Sequence, residues 1–72
     1  MSIQHSTIEA TVIAELPQQL FRLDSEEGPI IAGRSEEAIR QGVTIRTGQR
    51  VRVQRARLDP GRGVILAVAE PG

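Results

Sequence analysis

From Ile8 to Leu16 the chain alternates with a period of two. Ile8, Ala10, Val12, Ala14 and Leu16 fall on one side, and Glu9, Thr11, Ile13 and Glu15 on the other. This is the pattern of a strand with one face on a core and one towards water. Pro17 ends it, because proline cannot donate to a strand ladder. After the short turn Pro17-Gln18-Gln19 the same period returns in Leu20-Phe21-Arg22-Leu23-Asp24, with Phe21 and Leu23 inward and Arg22 and Asp24 outward. Ser25-Glu26-Glu27-Gly28 is a polar turn whose glycine can take a positive φ. Pro29-Ile30-Ile31-Ala32-Gly33 is a third, short strand.

Three strands in so short a chain must still enclose a core. A chain of 72 residues buries only roughly 60% of its unfolded surface. It has no cysteine, so neither a disulfide nor a thiolate metal site supports it. A closed barrel is an economical answer, since one sheet then supplies both walls of the core and has no free edge. No apolar run approaches the length of a membrane span, and Met1 to His5 does not read as a signal peptide. The expectation is a soluble, cytoplasmic, monomeric protein without membrane contact. The absence of cysteine fits a reducing compartment.

At Ser35-Glu36-Glu37-Ala38-Ile39-Arg40-Gln41-Gly42 the period changes. Ser35 is a plausible N-cap, two glutamates occupy the first turn, Arg40 lies near the end and Gly42 can close the helix. One or two turns are expected, with Ala38 and Ile39 as the apolar contacts at one barrel end. Thr47-Gly48 marks a turn before a fourth strand. There the alternation slips, because Val51 and Val53 share one parity and Ala56 and Leu58 the other. A bulge near Gln54-Arg55 would put all four on one face and leave Arg50, Arg52 and Arg57 on the outer one. Asp59-Pro60-Gly61-Arg62-Gly63 is a hairpin turn, and Val64 to Val68 the fifth strand. The order, three strands, a short helix, then a hairpin, is that of an all-β, five-stranded OB-fold, a Greek-key barrel with its helix between strands 3 and 4. A small SH3-like barrel usually lacks a helix there. The boundaries expected are a flexible arm over residues 1–7, the OB domain over 8–69 and a tail over 70–72.

Formal charge sums to zero over the chain but not along it. Residues 1–37 carry seven acids against two arginines, a net −5; residues 38–72 carry seven arginines against two acids, a net +5. Every basic residue is arginine, the side chain that forks bidentately onto phosphate or carboxylate and stacks on bases. A codon bias of the source genome would give the same composition. Arg46, Arg50, Arg52, Arg55 and Arg57 lie between Thr44 and Leu58, so this basic strand must face an anion. Two are available: a nucleic-acid backbone, or the protein's own outward carboxylates Glu9 and Glu15 on the first strand, which an OB barrel sets beside the fourth.

Little in the sequence suggests catalysis. The one histidine, His5, sits in the expected arm. Ser35 has a cap to serve, and Glu36 and Glu37 suit a helix N-terminus without further purpose. There is no glycine-rich phosphate loop, zinc spacing or nucleophile motif, so no enzyme, cofactor or metal site is expected. Phe21, the only aromatic residue, has core parity, which argues against a base-stacking platform. RNA binding would rest on arginine–phosphate contacts and on shape.

Several short segments carry a family resemblance. Leu16-Pro17 followed by Leu20-Phe21-Arg22-Leu23 and Glu27-Gly28, then Thr47-Gly48 with Val51 and Val53, then Asp59 with Arg62-Gly63 and Ile65, resemble the corresponding segments of bacterial translation initiation factor one, a single OB domain. The likeness runs from Ile8 to about Ile65. It implies binding to small ribosomal subunit RNA at the decoding site, alongside other initiation factors and without catalysis. Arg40 matches a basic loop position, Arg50 the basic residue before the first valine of strand four, and Arg62 the lysine of the last turn. With Arg46, Arg52 and Arg57 these are the candidate phosphate contacts. The chain departs from the family at Glu36-Glu37-Ala38-Ile39-Arg40, where glycine-lysine-methionine-arginine-lysine is usual, so that two carboxylates stand near the expected phosphates, at Leu58 in place of a tyrosine, and at its non-basic end Ala67-Val68-Ala69-Glu70. The alternative is a structural or protein-interaction OB domain that has lost ribosome binding.

Overall fold

In a computed structural model of the chain, residues 7–69 are described. The expected arm, with His5, and the expected tail lie outside them, except that Thr7 already belongs to the first strand. The elements are β1 (Thr7–Leu16), a tight turn (Pro17–Gln19), β2 (Leu20–Ser25), β3 (Gly28–Arg34), α1 (Glu36–Arg40), β4 (Arg50–Arg55) and β5 (Arg62–Val68). The strands close into a barrel in the order β1-β2-β3-β5-β4, with β4 returning to β1. Among the described strands, only β3 and β5 pair in parallel. This is the five-stranded OB barrel with a helix between its third and fourth strands.

Alternation in the strands builds the core. Ala10 and Val12 from β1, Phe21 and Leu23 from β2, Ile30 and Ala32 from β3, Val51 and Val53 from β4 and Ile65 from β5 are all buried. Ile45, from the long segment between α1 and β4, completes the cluster, and Val43 packs against it. Fully burying one such aliphatic side chain contributes about 1.5–3 kcal/mol. The turns are built as their residues require. Gly28 takes φ +114°, and Ser25 Oγ donates to the Gly28 carbonyl at 2.8 Å while accepting from the Glu27 amide at 3.1 Å. Ser35 caps α1 by accepting from the Ala38 amide at 3.0 Å.

Four expectations about packing need correction. The fourth strand contains no bulge: it ends at Arg55, and Ala56 and Leu58 lie outside the core, Leu58 98% exposed. The bulges lie elsewhere. Ile13 is the extra residue between the Val12–Leu23 and Ala14–Arg22 pairs, and Leu66 the extra residue between the Arg52–Ala67 and Val53–Ile65 pairs. The second lets both Ile65 and Val68 stand opposite core valines, since Val68 pairs with Val51.

Beyond the Ile13 bulge the facing changes, so Glu15 is the partner of Phe21. It lines a cleft at that barrel end with Leu20, Arg34 and Ile45. Of the two apolar residues of α1, Ala38 is buried but Ile39 is 51% exposed; Ile45 and Val43 supply the packing expected of Ile39. Finally, β4 pairs only with residues 7–11 of β1. Glu15 therefore lies beyond its reach, and Arg57, past the strand end, has no place on that face.

Candidate nucleic-acid interface

β4 is built as a two-faced strand. Val51 and Val53 are buried, while Arg50, Arg52 and Gln54 are exposed. The outer arginines meet β1 directly: Arg52 stands opposite Glu9 and Arg50 opposite Thr11. Arg50 takes the carboxylate, its Nη2 lying 2.8 Å from Glu9 Oε1, with both side chains about half exposed. Arg52 makes no ion pair among the described residues. One of the two carboxylates expected to neighbour this strand, Glu9, is thus engaged and the other, Glu15, is not.

Arg40 and Arg46 come from the segment that joins β3 to β4. Arg40 Nη2 pairs with Glu37 Oε1 at 2.7 Å, one helical turn back. The other oxygen of Glu37 accepts from Gln41 Nε2 at 2.9 Å. Arg46 opens the turn that leads into β4. Its amide donates to Gln49 Oε1 at 2.7 Å, its carbonyl accepts from the Gln49 amide at 3.2 Å, and Gly48 sits at φ +94°. Its guanidinium makes no ion pair among the described residues. Two backbone bonds fix this turn to β1: the Gly48 amide donates to the Val12 carbonyl and the Gln49 carbonyl accepts from the Val12 amide, both at 2.8 Å.

Arg57 and Arg62 flank the loop between β4 and β5 and are exposed. They line one shallow cleft, about 480 Å³, with Arg55, Ala56, Gly63 and Val64. The loop is held internally. Ala56 donates to the Arg62 carbonyl at 2.8 Å and Arg62 donates to the Asp59 carbonyl at 2.9 Å. Asp59 Oδ1 accepts from the Gly61 amide at 3.3 Å, and the Gly61 carbonyl accepts from the Ile31 amide at 2.9 Å.

Arg55 stands apart from the other arginines of this stretch. It shares the parity of Val51 and Val53, so its side chain turns inward at the strand end and is only 20% exposed. Its Nη1 lies 2.8 Å from Glu27 Oε1, tying β4 to the β2–β3 turn. Its Nε is buried without a partner among the described residues. The signal for this placement is present in the sequence as parity, and the expected bulge hides it.

The six candidate arginines therefore divide. Arg40 and Arg50 are held by carboxylates, and Arg46, Arg52, Arg57 and Arg62 make no ion pair among the described residues. Arg50 and Arg52 share a strand face, Arg57 and Arg62 share a cleft, and among the described residues no hydrogen bond or ion pair joins Arg40 or Arg46 to either pair. A second concavity, about 520 Å³, opens beside Arg50 and is acidic, with Glu9, Asp24, Glu26 and Glu27 on its walls. The barrel thus carries a basic cleft at the β4–β5 loop and an acidic one against β1 and β2.

No family model matches this sequence, and no curated protein matches it. Among solved structures, the solution structure of translation initiation factor one from the Wolbachia endosymbiont strain TRS of Brugia malayi aligns with a TM-score of 0.74. The sequences are 28% identical, and the alignment covers 89% of this chain and 77% of that one. In its closed barrel and its short helix, the chain is similar to translation initiation factor one.

Proposed function

We propose that this chain acts in translation initiation by binding small-subunit ribosomal RNA at the decoding site through arginine–phosphate contacts. The likeness in fold and sequence to an initiation factor carries the proposal. It is supported by the exposed Arg46, Arg52, Arg57 and Arg62, whose guanidinium groups no carboxylate of the described residues neutralises. Arg40 and Arg50 join them at the expense of their ion pairs. The reading includes no chemical step, so the protein acts by occupancy, as a cytoplasmic monomer that needs no cofactor. Other initiation factors are its expected company on the subunit. Among the described residues no helix is long and apolar enough to cross a membrane, and no cluster of acidic or histidine side chains is placed to hold a metal ion.

Titration of small ribosomal subunits, or of a decoding-site RNA hairpin, at two salt concentrations tests the proposal. Binding should weaken with salt, each phosphate contact adding about 0.7–0.9 to the slope. Arg57→Ala and Arg62→Ala should each lower that slope. No binding at low salt would defeat the proposal. It would favour a second reading, a structural or protein-interaction OB domain. The three ion pairs that occupy Arg40, Arg50 and Arg55, and the acidic cleft against β1 and β2, speak for that second reading.

A further inference from the structure

Leu58 is almost wholly in water, 98% exposed. The fold does not require this. The β4–β5 loop is fastened at Ala56, Asp59, Gly61 and Arg62 by backbone hydrogen bonds, none of which involves the side chain at position 58. These bonds hold the loop in one shape, and Leu58 stands between Asp59 and Arg57 in the chain, with Arg62 closing the same loop. An aliphatic group that makes no use of the core thus shares one loop with two exposed guanidinium groups that have no carboxylate partners among the described residues.

An arginine pair of this kind attracts an anionic polymer and holds it by its phosphates, which carry no apolar surface. An apolar group presented beside such contacts meets what lies next to the phosphates in a nucleic acid, the flat faces and edges of the bases. Aliphatic side chains do make such contacts, packing on or wedging between bases. A protein partner would offer apolar surface too, but its attraction to a locally basic loop would need carboxylates. The phosphate backbone supplies the complementary charge at regular spacing.

We propose that Leu58 is a base-contacting residue, which adds an apolar, salt-independent component to RNA binding beside the arginine–phosphate contacts. The inference rests on the RNA-binding reading above. Phe21 is buried, so no aromatic of the chain is available for this role. Leu58 is the described residue with a large apolar side chain most fully presented for it. Because the loop is closed by backbone bonds, the side chain is offered at little cost in ordering, and burying part of it against a base should tighten binding about tenfold.

The test compares wild type, Leu58→Ser, Leu58→Met and Arg62→Ala in titrations of a decoding-site RNA hairpin across several salt concentrations. Leu58 makes no core contact, so its substitutions leave the fold intact, and a melting curve checks this. Leu58→Ser should weaken binding about tenfold at every salt concentration with the slope unchanged, and Leu58→Met should bind as wild type does. Arg62→Ala should lower the slope. If Leu58→Ser binds as tightly as wild type while Arg62→Ala binds less well, the role of Leu58 is refuted and the RNA reading stands. If Leu58→Ser acts by lowering the slope, it disturbs the arginines, and the proposed base contact is refuted. If wild type binds no RNA at low salt, both readings fall together.

Discussion

Arg55 and Glu27 join the end of β4 to the β2–β3 turn through an ion pair of 2.8 Å in which the two partners are unequally buried. The Arg55 side chain is 20% exposed and that of Glu27 is 55% exposed. The more buried partner also has an Nε without a hydrogen-bond acceptor among the described residues. Removing the acid leaves a mostly buried cation unpaired, whereas removing the cation leaves only an exposed carboxylate. Glu27→Gln should therefore cost about 1 kcal/mol, well below the figure for fully buried pairs because Glu27 is open to solvent. Arg55→Met, which keeps the aliphatic length and leaves no buried polar atom unpaired, should cost less than that or nothing. Urea denaturation of the two variants and the double variant gives the comparison; a larger loss in Arg55→Met than in Glu27→Gln would refute it.

The same residue shows where the sequence is legible and where it is not. The turns at Gly28, Gly48 and Asp59–Gly63, the cap at Ser35 and the inward parity of Ala10, Val12, Phe21 and Leu23 can all be read. In each case one local rule acts alone. In β4 the parity of Val51 and Val53 conflicts with that of the later apolar residues Ala56 and Leu58. A bulge reconciles the two on paper, but it sends Leu58 into a core that this residue never reaches. The real bulges lie at Ile13 and Leu66, within the runs Val12-Ile13-Ala14 and Val64 to Val68. These runs are apolar at every position, so an extra residue leaves no trace in the pattern. Ile45 is not foreseeable as core either, because the segment from Gln41 to Gln49 has no period to read. The candidate interface is legible as composition, but which arginines are held by carboxylates depends on strand register. Register puts Glu9 beside Arg52 and Arg50 and takes Glu15 away.

Gly63 is required by contact, not by conformation. A Cβ there would lie 2.5 Å from the Gln54 carbonyl oxygen and 3.1 Å from Arg55 Cα. Both are backbone atoms of the paired strand and cannot swing aside. Gly63→Ala must push β5 away from β4 at the parallel junction with β3, where Gly63 also pairs with Ala32. The expected cost is about 3 kcal/mol, the upper part of the range for overpacking. Gly28→Ala, with open space around its Cβ, should cost only the strain of its positive φ, about 1–2 kcal/mol. Chemical denaturation should rank the two in that order, and equal losses would remove the steric explanation.

Gln18 and Gln19 occupy the left-handed region, at φ 64° and 62°, between Pro17 and the start of β2. A residue with a Cβ loses about 1–2 kcal/mol there, while glycine loses part of that advantage through the greater freedom of its unfolded chain. Gln18→Gly should therefore raise stability by about 0.5 kcal/mol and the melting temperature by about 2–4 °C in a domain of this size. Gln18 is the better test, since Gln19 Oε1 also accepts from Arg34. A lower melting temperature would mean that the Gln18 side chain contributes more than its backbone strain costs.

The ion pairs that hold Arg40 and Arg50 compete with phosphate for the same guanidinium groups. Each is well exposed, Arg40 and Glu37 at 68% and 60% and Arg50 and Glu9 at 54% and 53%, so each contributes only about 0–1 kcal/mol to the fold. That small energy must be given up when RNA takes the arginine. Removing the acid removes the competition and a local negative charge. Glu37→Gln and Glu9→Gln should therefore leave the melting temperature nearly unchanged and tighten decoding-site RNA binding up to about fivefold at low salt. The gain should shrink as salt rises, because both the competing pair and the phosphate contact are screened. Arg40→Ala and Arg50→Ala should weaken binding and abolish the gain in the corresponding double variants. If the glutamate variants bind more weakly than wild type, the pairs position their arginines for phosphate instead of withholding them, and the carboxylates belong to the binding surface.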